Sequence, residues 1–250
     1  MMNQIKFTKG IRKFLEYYRG FDDHYLPFFY WLKNHYEIEK VIYPGSYIHI
    51  TPSLVFPEVV YIDNTNSSKT TFEDNNTLEF IKKYKMHKKS PKMRFYSKDY
   101  NSTLDEKKSY FDLLISISAG FISVACLDYL KQKGLFLADN EHNDASMAFV
   151  SNKYELLGIL NRPESSRHHH KTSDNRSIDH LDEKYLKMKK AQLKKHQFIE
   201  FETNNLNRYF QPKNKKKLTS EMVKEILTTS PSKLSYKLKK KADLYLFKKT

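Results

Sequence analysis

The stretches Lys40-Val41-Ile42-Tyr43-Pro44-Gly45-Ser46-Tyr47 and Val59-Val60-Tyr61-Ile62-Asp63-Asn64 decide how this chain is read. Each is an apolar run of β-branched and aromatic residues that stops abruptly, the first at a Pro-Gly turn and the second at a carboxylate. In a doubly wound α/β sheet the first two strands end this way when the turn after one and the acid after the other face a nucleotide-like ligand. Glycine lets backbone come close to such a ligand, and a carboxylate accepts hydrogen bonds from both ribose hydroxyls. Gly45 and Asp63 are therefore the first candidate site residues. The plainer readings are a tight Pro-Gly turn and an acid capping the polar turn that follows it.

Working outward, Gly10 to Lys33 reads as helical, with Ile11, Phe14, Leu15 and Tyr18 at three-to-four spacing and Pro27 at a helix start. Between the two strands, His49 to Pro57 has room for a turn or two of helix, with Thr51 as N-cap and Pro52 at the first helical position. Thr77 to Lys88 is an amphipathic helix and Met93 to Ser97 a third strand. Phe111 to Ser118 is an apolar run of the kind that parallel strands bury on both faces. Ala119 to Gln132 reads as a helix capped by Gly134, Leu135 to Ala138 as a fifth strand, and Tyr154 to Leu160 as a further one. The expected organisation is a helical segment over 1–37, a doubly wound domain over 38–161 and a basic linker with helical extension over 162–250. In that last part, Asp182 to His196 and Thr219 to Leu227 read as helices.

Composition narrows the function. The 250 residues carry a net charge of +15, with 39% hydrophobic residues and a mean hydropathy of −0.72. No apolar run approaches the ~20 residues that span a bilayer, and the opening Met1-Met2-Asn3-Gln4-Ile5-Lys6 lacks a signal-peptide core, so a cytoplasmic location is expected. A single cysteine, Cys126, excludes an internal disulfide and a cysteine-rich zinc site. Charge is uneven: residues 1–161 hold 21 Lys/Arg against 19 Asp/Glu, whereas residues 162–250 hold 23 against 10. A codon bias toward lysine acts along a whole chain, so this local excess marks a candidate surface for RNA or DNA. Its members are Lys213, Lys215, Lys216, Lys217, Lys237, Lys239, Lys240, Lys241, Lys248 and Lys249. Tyr209, Phe210, Tyr236, Tyr245 and Phe247 stand nearby as candidate base-stacking rings. The plainer reading is a solvated lysine-rich face.

With its strands placed, the chain resembles the class I S-adenosylmethionine-dependent methyltransferases over roughly residues 38–160. Tyr43-Pro44-Gly45-Ser46 stands where that family has its glycine-rich loop, although one glycine replaces two or three and Tyr43 fills an acidic position. Asp63 matches the acid ending strand 2, and Asp99 the polar residue beside the adenine. Phe111-Asp112-Leu113-Leu114-Ile115-Ser116 matches strand 4. Tyr129-Leu130-Lys131-Gln132-Lys133-Gly134-Leu135-Phe136-Leu137 is similar to the leader into strand 5. The resemblance implies a Rossmann-like fold, S-adenosylmethionine as cofactor, and Tyr43, Gly45, Ser46, Asp63, Asp99, Ser116 and Ser118 as its contacts. No Asn/Asp-Pro-Pro-Tyr/Phe signature follows strand 4, so amino-methylating DNA enzymes are not indicated.

Other candidates are weighed on their own chemistry. Ser116, Ser118 and Gly120 close the strongest strand, as a polar rim or, for Ser118, as a helix cap. Asp139, Glu141, His142 and Asp144 gather after strand 5, with Asp139 and His142 the candidate general bases and a solvated loop the alternative. The same side chains have donor types suited to a divalent cation, but no metal ligand set is assigned. His168, His169 and His170 read as a solvated linker, because adjacent extended residues cannot all face one metal. Cys126 reads as a small buried hydrophobe. Two functions follow: a methyltransferase of unknown acceptor, nucleic acid being one candidate, or a non-catalytic methyltransferase-like module that binds nucleic acid or a protein partner.

Overall fold

The structure, a computed structural model, describes residues 7–164, 183–195 and 198–250. Residues 1–6 and most of the predicted linker, including His168, His169 and His170, lie outside the described residues. The chain forms two compact units. The first is Met1–Val41, Ser46–Asp99 and Arg162–Ile199; the second is Ile42–Gly45, Tyr100–Asn161 and Glu200–Thr250.

The first unit begins with α1 (Lys9–Tyr18) and α2 (Leu26–His35), joined by a short 3-10 turn. Ile11, Phe14 and Leu15 form the buried face of α1. Gly10 is required there by close approach, since a Cβ would lie 2.8 Å from Thr71 Cα. β1 (Lys40–Pro44) runs from this unit into the second, and α3 (Thr51–Val55) and β2 (Glu58–Ile62) follow. All five residues of β2 are buried, as a parallel strand covered on both faces requires. The polar segment after it, read as a turn, is instead α4 (Asn66–Phe72), with the Thr65 hydroxyl accepting from the Ser68 N–H at 3.2 Å as N-cap. α5 (Asn75–Tyr84) is capped by Asp74, and β3 (Lys92–Tyr96) pairs parallel with β2. Thr51 lies inside α3, whose N-cap is Ile50, so the expected Thr51 cap is not made.

The second unit holds β4 (Phe111–Ser116), α6 (Ile122–Ala125), β5 (Leu130–Ala138), α7 (Asp144–Val150) and β6 (Tyr154–Asn161). In chain order, α8 (Glu183–Lys195) then belongs to the first unit, while β7 (Glu200–Glu202), α9 (Ser220–Lys224) and β8 (Leu244–Lys249) belong to the second. The predicted helix over Ala119 to Gln132 is the main correction. Only one helical turn forms, because Ser109 N–H and Tyr110 N–H donate to the Asp128 and Tyr129 carbonyls at 2.8 and 3.0 Å. A 3-10 turn over Leu127–Tyr129 follows α6, and that pairing leads the chain into β5 at Leu130 beside β4. Gly134 consequently lies inside β5, where the register jumps from Phe111↔Leu130 to Leu113↔Leu135.

The second correction concerns the C-terminal residues. β8 lies between β5 and β6, antiparallel to both, so the basic tail completes the sheet instead of trailing from it. The strand order is β3-β2-β1-β4-β5-β8-β6-β7, with chain direction reversing its progress across the sheet at β1. This is a mixed, doubly wound α/β sheet. No helix among the described residues is long and apolar enough to cross a membrane.

Candidate functional site

In the first unit, the loop after β1 is tied to the acid after β2. Asp63 extends the β2–β3 ladder by one residue, its N–H donating to the Tyr96 carbonyl at 3.2 Å. Its carboxylate Oδ2 accepts from the Tyr47 N–H at 2.9 Å. Oδ1 accepts from the Thr65 N–H at 2.9 Å and from the Ser68 hydroxyl at 2.6 Å. A carboxylate offers about four acceptor directions. Three are used internally, so the half-buried Asp63 has room for one ligand hydroxyl on Oδ2, not for a forked grip on two. The turn-capping role is made, and one acceptor direction is left over.

Beside Tyr47, Ser46 is only 1% exposed and its Oγ is buried without a hydrogen-bond partner. A buried orphan hydroxyl costs on the order of 1–3 kcal/mol and calls for a cause. Tyr47 itself has φ +47°, and its ring meets the exposed ring of Tyr17 edge-on at 5.5 Å.

Beneath this loop lies a pair that sequence reasoning missed. His49 Nε2 and Asp23 Oδ2 are 2.6 Å apart, both side chains being 0% exposed. The Tyr18 ring stacks on His49 with centroids 4.0 Å apart. Burial alone would raise the Asp23 carboxyl, but the His49 charge and hydrogen bonds from His49 and the Tyr25 N–H hold it below its ordinary value. Nothing in the sequence links residues 26 positions apart. Asp99 is exposed just beyond β3.

The second unit holds the rest of the predicted residues. Gly45 has φ +66°, and a Cβ there would lie 2.6 Å from Ala119 Cβ, so conformation and packing both demand glycine. Tyr43 is 1% exposed, within the core, and its ring has no surface to offer a cofactor. Ser116 is fully buried, its hydroxyl without a hydrogen-bond partner among the described residues, and not on a rim. Ser118 does not cap a helix, since α6 starts only at Ile122. It adopts φ +51° and donates through N–H and Oγ to Asp139 Oδ2 at 2.8 and 3.2 Å. Gly120 leaves space for Tyr100, whose Oη would lie 2.5 Å from a Cβ.

The structure thus brings Ser118 and Asp139 together, and burial pushes the Asp139 carboxyl upward. His142 and Glu141 are exposed. Asp144 belongs to the interior: at 1% exposure it accepts from the Ser123 N–H at 3.1 Å, and burial pushes its carboxyl up to about 7. Among the described residues no group of three or more His, Cys, Asp or Glu side chains could hold a metal ion. Cys126 is 0% exposed, and burial together with the Asp144 charge pushes its thiol up to about 12, far from a nucleophile.

The basic residues divide by exposure. Lys213, Lys215, Lys216, Lys217, Lys237, Lys239, Lys240 and Lys241 are exposed on two adjoining stretches, where Lys213 N–H donates to the Lys237 carbonyl at 2.7 Å. Lys248 pairs with Glu155, and Lys249 Nζ donates to the Leu127 and Leu130 carbonyls at 2.9 and 2.8 Å. Tyr209, Phe210, Tyr236, Tyr245 and Phe247 are all at most 5% exposed. Base stacking by these rings is therefore overturned, because β8 and its neighbours consume them in the core.

No family model matches the chain, and no curated protein matches it. Similar solved structures include a Methanococcus maripaludis protein provisionally named an S-adenosyl-L-methionine-dependent methyltransferase, at 16% identity, 56% of this chain, 66% of that one and TM-score 0.37. The chain spans just under two thirds of that protein's length. The O-methyltransferase TomG from Streptomyces achromogenes, involved in tomaymycin synthesis and solved in complex with S-adenosylmethionine, is similar at 12% identity, 65% and 87% coverage and TM-score 0.42. A methyltransferase from Geobacter sulfurreducens is similar at 11% identity, 61% and 83% coverage and TM-score 0.40.

Proposed function

We propose that the chain binds S-adenosylmethionine and transfers its methyl group to an acceptor, with nucleic acid the acceptor class that the exposed lysines favour. One observation carries the reading: the loop after β1 is hydrogen-bonded to the acid after β2, with the orphan hydroxyl of Ser46 in that loop. The residues fit part of such a cofactor. Asp63 would accept one hydroxyl of the ribose, Ser46 would supply the hydroxyl that its burial leaves unmatched, and Asp99, exposed just past β3, would serve the adenine.

Bound S-adenosylmethionine supplies an electrophilic methyl group on a sulfonium. The protein's share is positioning, holding the acceptor in line with that methyl, and proton removal. Asp139 is suited to the second task, because burial raises its carboxyl and one acceptor direction on Oδ1 remains after its bond from the Glu141 N–H at 3.3 Å. Lys213, Lys215, Lys216, Lys217, Lys237, Lys239, Lys240 and Lys241, all exposed, attract phosphate without help from aromatic stacking.

Titration calorimetry of the full chain with S-adenosylmethionine tests the reading. Binding that weakens at least tenfold in Asp63→Ala supports it. Absence of heat at millimolar cofactor favours the second reading, a module that no longer catalyses, which the lone glycine of the β1 loop supports.

A further inference from the structure

Three ammonium groups of the first unit gather on two adjoining pieces of backbone. Lys85, just past α5, donates from Nζ to the His87 carbonyl at 2.8 Å and, more weakly, to the Lys88 carbonyl at 3.5 Å. Lys190 of α8 donates to the Lys85 carbonyl at 3.1 Å. Lys33 of α2 donates to the Val55 carbonyl at 3.0 Å, and the preceding Leu54 carbonyl accepts from the Met86 N–H at 2.6 Å. The end of α3 and residues 85–88 are thus side by side, with three lysines gathered around them. All three are half-buried.

Carbonyl oxygens satisfy some of these donors but cancel no net charge. Other carboxylates of the unit have partners of their own: Asp22 pairs with Lys189, Glu39 with Lys89 and Glu79 with Lys82. Among the described residues none of Lys33, Lys85 and Lys190 is ion-paired to an acid. Burial, and then the charges of Lys190 and Lys85, lower the Lys33 ammonium; burial, and then Lys85 and Lys194, lower that of Lys190. Burial and the charges of Lys33 and Lys85 push His87 down to about 4, so its ring stays neutral in the middle of the group. Each ammonium has three N–H donors, so about five of the nine remain for a ligand. A fold that holds like charges together without a counter-charge gives up stability, and an anion would restore it. Lysine is a point-charge phosphate binder that needs no fixed fork.

We propose that Lys33, Lys85 and Lys190 form a phosphate-binding site, taking a phosphate group either from a small phosphorylated ligand or from a nucleic-acid backbone. The site is independent of methyl-donor binding and stands or falls without it.

Thermal unfolding of the full chain with inorganic pyrophosphate, against sodium chloride at matched ionic strength, tests it alongside K33Q/K85Q/K190Q. The wild-type midpoint should rise saturably with pyrophosphate, and the variant's should not. Without pyrophosphate the variant should unfold at or above the wild-type midpoint, because it loses repulsion. If it unfolds lower, K190Q alone replaces it, since that change leaves the Val55 and His87 carbonyl bonds in place. An equal pyrophosphate response in wild type and variant, or none in wild type, overturns the proposal. A labelled single-stranded RNA then identifies the source. A salt slope shallower by about 2 in the triple variant, at about 0.7 per lost charge, assigns the site to nucleic-acid backbone. An unchanged slope with the pyrophosphate response intact assigns it to a small phosphorylated ligand.

Discussion

At the residue scale, Asp144 is the group whose environment differs most from what its sequence position suggests. Read along the chain it belongs to a polar run with Asp139, Glu141 and His142; in space it is 1% exposed and serves the start of α6. Its carboxyl ordinarily titrates at 3.8 but in the fold at about 7. The folded state therefore holds a proton that the unfolded chain releases. Its stabilising contribution is complete below about pH 4 and is lost as pH rises toward 7, on the order of 4 kcal/mol in all. Asp144→Asn keeps the shape and removes the titration. Urea unfolding from pH 4.5 to 8 should show wild type losing stability relative to the variant, and parallel profiles would contradict the assignment. The places of Gly45 in a turn and Asp63 at a strand end were legible because a turn glycine and a strand-end acid leave local marks. The interior roles of Ser116, Tyr43 and Asp144 were not, because burial is decided by residues far along the chain.

Elements show the same division. β1, β2, β3 and β4 were legible from apolar runs bounded by turns, since nothing competes with extended structure there. The run from Ala119 to Gln132 has helical spacing, yet the bonds from Ser109 and Tyr110 to the Asp128 and Tyr129 carbonyls, and β5 starting at Leu130, override it. α4 was missed because its Asn-Ser-Ser-Lys opening looks like a turn until Thr65 caps it. The connections between elements carry the least visible feature, the Asp23–His49 pair that fastens the α1–α2 link to the segment between β1 and α3. Removing one partner of a fully buried charge pair typically costs roughly 3–5 kcal/mol. Asp23→Asn is therefore expected to lower the unfolding free energy by about that amount at pH 7. Because the Asp23 carboxyl is held below its ordinary 3.8, its contribution is present above about pH 4 and fades as pH falls through the folded value. The difference between Asp23→Asn and wild type should shrink in acid, and a pH-independent difference would detach the pair from the acid limb.

For the whole molecule, composition misled where it suggested an appended tail. The charge excess after residue 161 is real, but the same residues contain Leu244, Tyr245, Leu246 and Phe247, each at most 1% exposed in β8. A lysine-rich surface and a buried strand share the segment because alternate demands fall on neighbouring positions: Lys248 pairs with Glu155, and Lys249 closes carbonyls at the start of β5. Burial of four large apolar side chains contributes roughly 6–12 kcal/mol. That is comparable to the roughly 5–15 kcal/mol that stabilises an entire domain. Removing residues 244–250 also bares the facing edges of β5 and β6, which invites strand pairing between molecules. The truncated chain should therefore lose its cooperative urea transition and elute as aggregate on size exclusion, whatever it does to RNA affinity. Retention of the full-length midpoint would show β8 to be dispensable. A clean test of the lysines instead replaces Lys213, Lys215, Lys216, Lys217, Lys237, Lys239, Lys240 and Lys241 with glutamine, leaving β8 whole, so that a fall in affinity reports charge and not unfolding.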